Sequence, residues 1–480
     1  MNNILAAKGY TVENTDGRMT ADGDVALTYK WTNAALDSTT YATSENGTAI
    51  TNLFDEADPN KSSSEPGEVT WLSRSNWVAT FPTQPVVLNA TQTLADHLAF
   101  TRYDGSKADS VEMPTLGADN GLALVSMIGA DYDDPQWDTL LDQLTFNEMV
   151  NTITLGFHNT AAVESIGKTR TKDENGPQGL TAALTGGASA MCYTSEDVMA
   201  ATFNVDLIND VGRCIGEDCL AMGYSGLYGP GINMHRTAYS GRNFEYYASD
   251  PFVAGTICAA EVNGIQSKGV YVYLKHVALN DSESSRRGVN TWLNEQAARE
   301  IYLEVADKAI TDGGAWSVMT GFNRWGAYWC GAYDNLLTGF LRGELGMRGM
   351  IITDYSGSSK YMDLADGLIA GSDIWDSPDP TIHTTLAPKY ENDAYIVTEM
   401  RESMHKILYT VANSNAMNGW SSADRLKVIT PWWKTALYVL DTVLAVLTVL
   451  CIWRLVVAIK RKKTWTAEQA ANTASAQNQQ

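Results

Sequence analysis

RGMIITDYSG, at residues 348–357, is a short apolar segment that ends in a single acid. Three apolar residues run into Thr353 and Asp354, and the chain then continues with Tyr, Ser and Gly, which favour a turn. An apolar run bounded in this way predicts a strand that is buried on both faces. The position of the acid predicts that the strand presents one carboxylate at its carboxyl end.

Apolar strands alternate with amphipathic helices from about residue 121 onward. Strands are predicted at residues 223–233, 270–275, 316–322, 349–354 and 369–375, and helices at residues 293–310 and 335–345. Such alternation indicates parallel strands covered by helices. We predict an α/β fold of the (β/α)8 TIM-barrel type, which takes about 250 residues. A doubly wound sheet is the main alternative, but no GxGxxG or Walker motif follows a strand.

The sequence divides into four predicted regions. Residues 1–115 are rich in Thr, Asn, Asp and Ser with short extended runs, and we interpret them as a β-rich or irregular packing segment or the end of an upstream region. Residues 116–420 form the barrel. Residues 432–459 form a transmembrane helix, and residues 460–480 form a cytoplasmic tail whose Ala, Gln, Asn and Thr composition requires no fold.

The apolar segment at residues 436–459 is long enough to cross a bilayer, which takes about 20 helical residues. Trp432 and Trp433 precede the segment, and four basic residues at 460–463 follow it. The positive-inside rule places the C-terminus in the cytoplasm and the barrel outside, in a single-pass cell-membrane protein. Residues 1–17 lack the basic start and apolar core of an export signal, so we expect a longer parent protein to supply one.

The chain is strongly acidic, with 56 acidic and 34 basic residues among 480 and a formal net charge of −22. This charge argues against nucleic acid as a partner, because phosphate attraction needs clustered Lys and Arg. The six cysteines include no CxxC pair, so neither a zinc site nor a disulfide framework is predicted. We expect no metal and no cofactor.

Polar side chains follow several predicted strands, at the edge where a barrel places its active site. They are Lys275, His276, Asn323, Asp354 and Asp373, joined by Arg236, Arg242, Asn243 and Glu245 from one loop and by Asp173 and Glu174 before a Gly-Pro turn. Charged groups make strong hydrogen bonds to sugar hydroxyls. An ionised Asp surrounded by cations is also what a glycosidase nucleophile requires.

Two longer segments resemble glycoside hydrolase family 3. They are GRNFEYYASDPFVAG at residues 241–255 and KHVALNDSESSRRG at residues 275–288, in which Lys275 and Arg286 keep the family's eleven-residue spacing. RGMIITDYSG is similar to the strand that carries the family's nucleophile. The resemblance extends in order over about residues 144–376.

This resemblance implies a retaining β-glycosidase of the β-glucosidase type, with Asp354 as the nucleophile. It also implies that the sugar hydroxyls are held by Arg242, Lys275, His276 and Arg286. Where the family has Asp-Gly-Pro, this chain has DENGP, so Asn175 replaces the usual acid. Either Asp173 takes over the outer hydroxyls or recognition there is weaker, and both Asp173 and Asn175 are expected among the substrate-binding residues.

Other departures concern the surroundings of the nucleophile and the proton donor. Phe322 replaces a Tyr often found near the nucleophile, and Tyr355 replaces the Trp that often follows it. Most family members take their acid/base Glu from an α/β-sandwich domain. No such domain follows the barrel before the membrane segment, and we expect one to be supplied upstream. Glu283 is near the site in sequence but is not assigned this role.

Two functions therefore compete. The first is a retaining β-glycosidase acting on a terminal β-linked sugar of an oligosaccharide or glycoside through a covalent Asp-linked intermediate. The second is a membrane-anchored carbohydrate-binding remnant that lacks its acid/base domain. Loss of leaving-group protonation lowers rates by about 10²–10⁴, and least for activated leaving groups, so such substrates distinguish the two.

Overall fold

The computed structural model describes most of the chain from Tyr103 onward. The described residues are 12–13, 20–21, 42–62, 69–70, 76–80, 92, 103–356, 361–421, 423–424, 426–427 and 429–477. The chain forms two compact units, Met1–Asp424 and Arg425–Gln480. The β-rich segment predicted at residues 1–115 lies largely outside the described residues and stays a prediction.

The central element is a parallel sheet. The described strands are β1 Val12–Glu13, β2 Thr20–Ala21, β3 Asp173–Asn175, β4 Gly226–Gly231, β5 Tyr271–Val277, β6 Asn290–Thr291, β7 Ser317–Thr320, β8 Arg324–Trp325, β9 Tyr328–Trp329 and β10 Ile351–Thr353. Five of them form one parallel sheet in the order β10–β7–β5–β4–β3. Ile374 adds a parallel bridge to Ile352. The predicted α/β fold with a parallel sheet is confirmed.

Helices follow most of the strands of this sheet. The α-helices are α1 Pro59–Ser62, α2 Trp77–Thr80, α3 Gln136–Leu141, α4 Phe146–Thr154, α5 Glu196–Ala201, α6 Val205–Met222, α7 Pro251–Gln266, α8 Glu295–Ala297, α9 Glu304–Thr311, α10 Leu364–Ala370, α11 Ala394–Ala412 and α12 Trp432–Gln477. In the part of the chain that the structure describes, three π-helical segments occupy Ala298–Tyr302, Asn335–Glu344 and Ile382–Leu386. The 3-10 helices described there are Asp55–Ala57, Leu124–Met127, Asn243–Glu245, Cys330–Ala332, Ala387–Tyr390 and Asn415–Met417.

The described residues form half of the predicted eight-stranded barrel. The prediction of a strand at residues 369–375 is wrong for its first part, which belongs to α10. Asp363 caps this helix by accepting hydrogen bonds from two main-chain N–H groups, and Gly371 ends it in the left-handed conformation. A helix cap followed by a terminal glycine outweighs the apolar run as a signal. Only Ile374 pairs with the sheet in this region.

The sheet is buried on both faces, which explains its apolar sequence. All seven residues of β5 are buried, and alternate side chains point to opposite faces. Val272 and Leu274 belong to the apolar cluster that also contains side chains of α6 and α7. Tyr271 and Tyr273 belong to a second cluster, and their rings meet edge to face at 5.4 Å. Tyrosines therefore fill the inner face of the sheet and leave its carboxyl edge for polar groups.

The C-terminal unit contains the single helix α12. The helix has an 18-residue window with a mean hydropathy of 2.5, so it is long and apolar enough to cross a membrane. It continues through residues 460–477, which were predicted to need no fold. The tail composition includes Ala, Gln and Glu, which are good helix formers and can extend an existing helix.

Candidate active site

Asp354 lies directly after β10, at the carboxyl edge of the sheet. Its main-chain N–H donates to the carbonyl oxygen of Thr320 in β7 at 3.1 Å, and its Oδ1 accepts from the N–H of Tyr355 at 2.8 Å. Its Oδ2 is buried and accepts no hydrogen bond from the described residues. One oxygen is thus held by the main chain, and the lone pairs of the other remain available.

An imidazole and several cationic side chains surround this carboxylate. Nε2 of His276 lies 3.4 Å from Oδ2 of Asp354, and a guanidinium nitrogen of Arg286 lies 3.9 Å from the same oxygen. Nε2 of His276 also lies 3.3 Å from a guanidinium nitrogen of Arg242. β5 supplies His276 and Lys275, whereas the arginines come from the loops that follow β4 and β5. The sheet therefore brings together residues that are far apart in sequence.

Two glutamates balance these cations. Glu245 is hydrogen-bonded to Nε of Arg242, and its other oxygen lies 3.5 Å from Nζ of Lys275. Glu283 bridges the two arginines, at 3.5 Å from Arg242 and 3.1 Å from Arg286. Burial alone would raise the pKa of Glu245, but the charges of Lys275 and Arg242 lower it overall. Both glutamates therefore hold the cations in place.

The electrostatics of the site are set by burial and by these cations. Burial raises the pKa of Asp354, and the charges of Arg286, Arg242 and Lys275 act in the opposite direction. Burial lowers the pKa of His276 well below its usual range, and the same three cations add to this effect. Burial also lowers the pKa of Lys275, which the charge of Glu245 opposes. His276 is consequently neutral near pH 7.

These groups line a cavity of about 580 Å³. The cavity is also lined by Phe157, His158, Asn175, Leu184, Tyr228, Tyr355 and Asp376. A volume of this order is typical of small-molecule sites. The lining combines aromatic and charged side chains, which suits a ligand with apolar faces and polar edges, such as a sugar ring.

Six of the seven predicted site residues line this cavity: Asn175, Arg242, Lys275, His276, Arg286 and Asp354. Asp173 does not. It is buried below the cavity floor, where its two oxygens accept from the hydroxyls of Tyr271 at 2.6 Å and Tyr273 at 3.2 Å. Enclosure by both tyrosines leaves Asp173 unavailable to a sugar, so the expectation that it contacts the outer hydroxyls is wrong.

Two other strand-end acids have structural partners. Asp373 is buried and pairs with Arg342 at 2.6 Å and with Lys406 at 3.6 Å. Glu174 is hydrogen-bonded to Thr185 and lies 3.0 Å from Nδ1 of His158. Burial alone would lower the pKa of His158, but the hydrogen bond to Glu174 and nearby carboxylates raise it overall.

Phe322 supports the cation group. Its ring centroid lies 4.6 Å from the guanidinium carbon of Arg286 and 5.1 Å from that of Arg287. A cation over an aromatic face is stabilised by the negative charge of that face. The ring therefore orients Arg286 although it lacks the hydroxyl of the tyrosine that related sequences often carry here.

Sequence reasoning missed several cavity residues, among them His158, Tyr228 and Asp376. Asp376 follows Ile374 by two residues and shares its strand-end position with Asp354. The available signal was the acid-rich stretch SDIWDSP at residues 372–378, in which Asp373 was selected and Asp376 was not. Among the described residues, no group of three or more His, Cys, Asp or Glu side chains is arranged to hold a metal ion.

Comparison with known proteins identifies the domain that carries this site. Residues 158–383 match the model of the "Glycosyl hydrolase family 3 N terminal domain". The chain is 33% identical over 251 residues to beta-glucosidase B from Emericella nidulans, which covers 52% of this chain and 29% of the relative. It is 32% identical over 244 residues to thermostable beta-glucosidase B from Acetivibrio thermocellus, covering 49% and 32% of the two chains.

A solved beta-glucosidase structure resembles this chain as well. Beta-glucosidase 3B from Thermotoga neapolitana in complex with glucose superposes with a TM-score of 0.52 and 28% identity, covering 58% of this chain and 43% of that chain. Residues 158–383 therefore match a glycosyl hydrolase family 3 N-terminal domain, and the resemblance inferred from the sequence is confirmed. The chain spans about a third of the length of the curated relatives it matches.

Proposed function

We propose that this chain is a retaining β-glycosidase of the β-glucosidase type, with Asp354 as the nucleophile. The observation that carries the proposal is the buried Oδ2 of Asp354, which faces a sugar-sized cavity beside His276 and Arg286. The relatives named above are beta-glucosidases, and one related structure contains glucose. A terminal β-glucosyl residue is therefore the proposed substrate group.

In the first step, Oδ2 of Asp354 forms a bond to the anomeric carbon while the bond from that carbon to the leaving oxygen breaks. The leaving oxygen acquires a proton from a second carboxyl group, which retaining enzymes place about 5 Å away. Water then attacks the same carbon and releases Asp354. Burial raises the pKa of the nucleophile, and the charges of Arg286 and Arg242 oppose this rise and so favour its ionised form.

The other cavity residues are proposed to hold the sugar hydroxyls. Arg242, Lys275, His276 and Asn175 all line the cavity. Hydrogen bonds to charged groups contribute about 1.5–3 kcal/mol each, so loss of one cation should weaken binding or catalysis markedly. Asn175 offers an amide where related sequences have an acid, and this reduces the strength of its contact.

The test is hydrolysis of aryl β-glycosides by the full 480-residue chain in mild detergent, beside Asp354→Asn. We expect release of the aryl group from a β-glucoside by the wild type and its loss by at least about 10³-fold in the variant. Asp281→Asn is the matched control, because Asp281 is a buried carboxyl outside the cavity that accepts from the N–H of Met234. Folding of each variant is checked by circular dichroism.

Binding and hydrolysis measured together distinguish a glycosidase from a carbohydrate-binding remnant. If the folded wild type binds β-glucosides by calorimetry but releases no aryl group even from 2,4-dinitrophenyl β-glucoside, the protein is a carbohydrate-binding remnant. If it neither binds nor hydrolyses them, the β-glucosyl assignment fails.

We also propose that α12 anchors the chain in a cell membrane, with the cavity outside and the basic residues 460–463 at the cytoplasmic side. The support is the length and hydropathy of the helix and the four consecutive cations that follow its apolar part. A sandwich domain supplied upstream stays a proposal of the same kind, motivated by relatives about three times longer than the matched region.

A further inference from the structure

The main chain places Asp376 beside Asp354. Ile374 pairs in parallel with Ile352 of β10, and the N–H of Thr353 donates to the carbonyl oxygen of Ile374 at 3.0 Å. The N–H of Asp376 donates to Oγ1 of Thr353 at 3.1 Å, and the carbonyl oxygen of Asp376 accepts from Ser356 at 3.0 Å. Asp376 therefore occupies the strand position adjacent to the nucleophile.

This placement puts the two carboxyl groups at the ends of neighbouring strands. The backbones of adjacent strands lie about 4.8 Å apart. Retaining glycosidases place their two carboxyl groups about 5–5.5 Å apart. The side chains of both Asp354 and Asp376 line the same cavity, so one sugar can contact both.

The environment of Asp376 differs from that of the other cavity acids. Its side chain is buried, and Oδ1 lies 3.2 Å from the hydroxyl of Tyr228. Among the described residues, it forms no ion pair with a Lys, Arg or His side chain, whereas Glu283 lies between two arginines. A carboxyl group without a cationic partner can keep its proton in a buried site.

Burial favours the neutral form of Asp376. It raises the pKa of Asp376 to about 7, with opposing contributions from His158 and Tyr228 and a further increase from the negative charge of Asp354. Two neighbouring carboxyl groups in different environments are the arrangement in which one acts as the acid and the other as the nucleophile. Arg286 lies near Asp354 and favours the ionised form of Asp354, as the nucleophile requires.

We propose that Asp376 is the general acid/base of this site, an inference that rests on the glycosidase function proposed above. As the bond from the anomeric carbon to the leaving oxygen breaks, the carboxyl proton of Asp376 passes to that oxygen and leaves Asp376 as a carboxylate. Asp354 is then an uncharged ester and no longer repels the new charge. The carboxylate of Asp376 next takes a proton from the attacking water, whose oxygen bonds to the anomeric carbon as Asp354 departs.

The other acids near the cavity are committed to cations. Glu245 is bound to Arg242 and Lys275, and Glu283 to Arg242 and Arg286. These ion pairs hold both carboxyl groups against cations, and the charges of Lys275 and Arg242 lower the pKa of Glu245. Asp376 therefore fits the role that an upstream domain was expected to supply.

The test compares leaving groups in Asp376→Ala and Asp376→Asn. With phenyl β-glucoside, whose leaving group needs protonation, we expect kcat/KM to fall by about 10²–10⁴-fold. With 2,4-dinitrophenyl β-glucoside, which needs none, the first step should change little. Azide should accelerate turnover of Asp376→Ala and yield β-glucosyl azide, because the small anion attacks the glycosyl-enzyme without a general base. Asp281→Asn, which removes a carboxyl whose pKa burial raises to about 6, should show neither effect.

Three outcomes decide the inference. Equal losses on both substrates without an azide product would overturn it and make Asp376 a hydroxyl ligand. Leaving-group dependence and azide rescue in a variant with wild-type circular dichroism would support it. No turnover of the dinitrophenyl glucoside by the wild type would overturn the glycosidase function itself, and Asp376 with it.

Discussion

Asp354 depends on a narrow balance between burial and charge. Burial raises its pKa, and three cations, led by Arg286, lower it. A nucleophile must be ionised to attack, so the balance sets the lowest pH at which the site can work. The same cations keep His276 neutral. The loss of activity at low pH should therefore follow protonation of the Asp354 carboxylate and not of the His276 imidazole.

Arg286→Gln should move the acidic limb of kcat/KM to higher pH. The charge of Arg286 lowers the pKa of Asp354, so its removal raises that pKa and the ionised form is lost earlier as the pH falls. The rate at the optimum should also fall by about 10- to 100-fold, because a charged hydrogen-bond donor is removed. The measurement is the pH profile for 2,4-dinitrophenyl β-glucoside.

Arg213→Gln is the control for this change. Arg213 is exposed on α6 and pairs only weakly, at 3.4 Å, with Asp210 on the same helix. Its profile should coincide with that of the wild type. An unchanged acidic limb in Arg286→Gln would show that Asp354 is not the group titrating there.

Among the elements, the turn Asn243–Glu245 and helix α7 act together to hold the cation group. The turn carries Glu245 next to Arg242, and five residues after Glu245 the chain reaches Asp250, whose side chain accepts from the N–H of Val253 and caps α7. Pro251 occupies the first turn of the helix, where its missing N–H costs nothing. The cap thus fixes where the loop ends and the helix begins.

Asp250→Ala should lower the free energy of unfolding by about 1 kcal/mol, because one main-chain N–H at the helix start loses its partner. The value of kcat should be unchanged, since Asp250 lies outside the cavity. Chemical denaturation monitored by circular dichroism measures the effect. Asp210→Ala, an exposed position inside α6, should change stability by less than about 0.5 kcal/mol. Equal effects in the two variants would contradict the capping role.

The whole molecule combines an acidic N-terminal unit with an apolar C-terminal helix. If α12 crosses a bilayer, Val446→Arg with Leu447→Arg places two charges near its middle, at about 2.5–3.5 kcal/mol each. The double variant should leave the carbonate-resistant membrane fraction. Val446→Leu with Leu447→Val preserves hydropathy and should remain there. Membrane retention of the charged variant would contradict a spanning helix.

Particular residues show which parts of the fold and of the site could be predicted from the sequence. The strand before Asp354, the helical spacing within residues 293–310 and the apolar segment before residue 460 were all visible as local patterns. Six of the seven predicted site residues line the cavity because strand ends of a parallel sheet meet at one edge. The strand predicted at residues 369–375 was misread in its first part because a capped helix and an apolar strand share the same residues over a short window.

Local periodicity, capping and strand-end polarity were therefore sufficient for the parallel sheet, the strand-end acid and the apolar C-terminal helix, since each depends on neighbours in the chain. Two properties of the site could be determined only from the packed structure. Asp173 is closed off by Tyr271 and Tyr273, and Asp376 stands beside Asp354 near Tyr228. The environments of both acids depend on side chains about 20 to 150 residues away in the sequence. Burial among such distant groups determines whether an acid is exposed to the cavity and whether it keeps its proton.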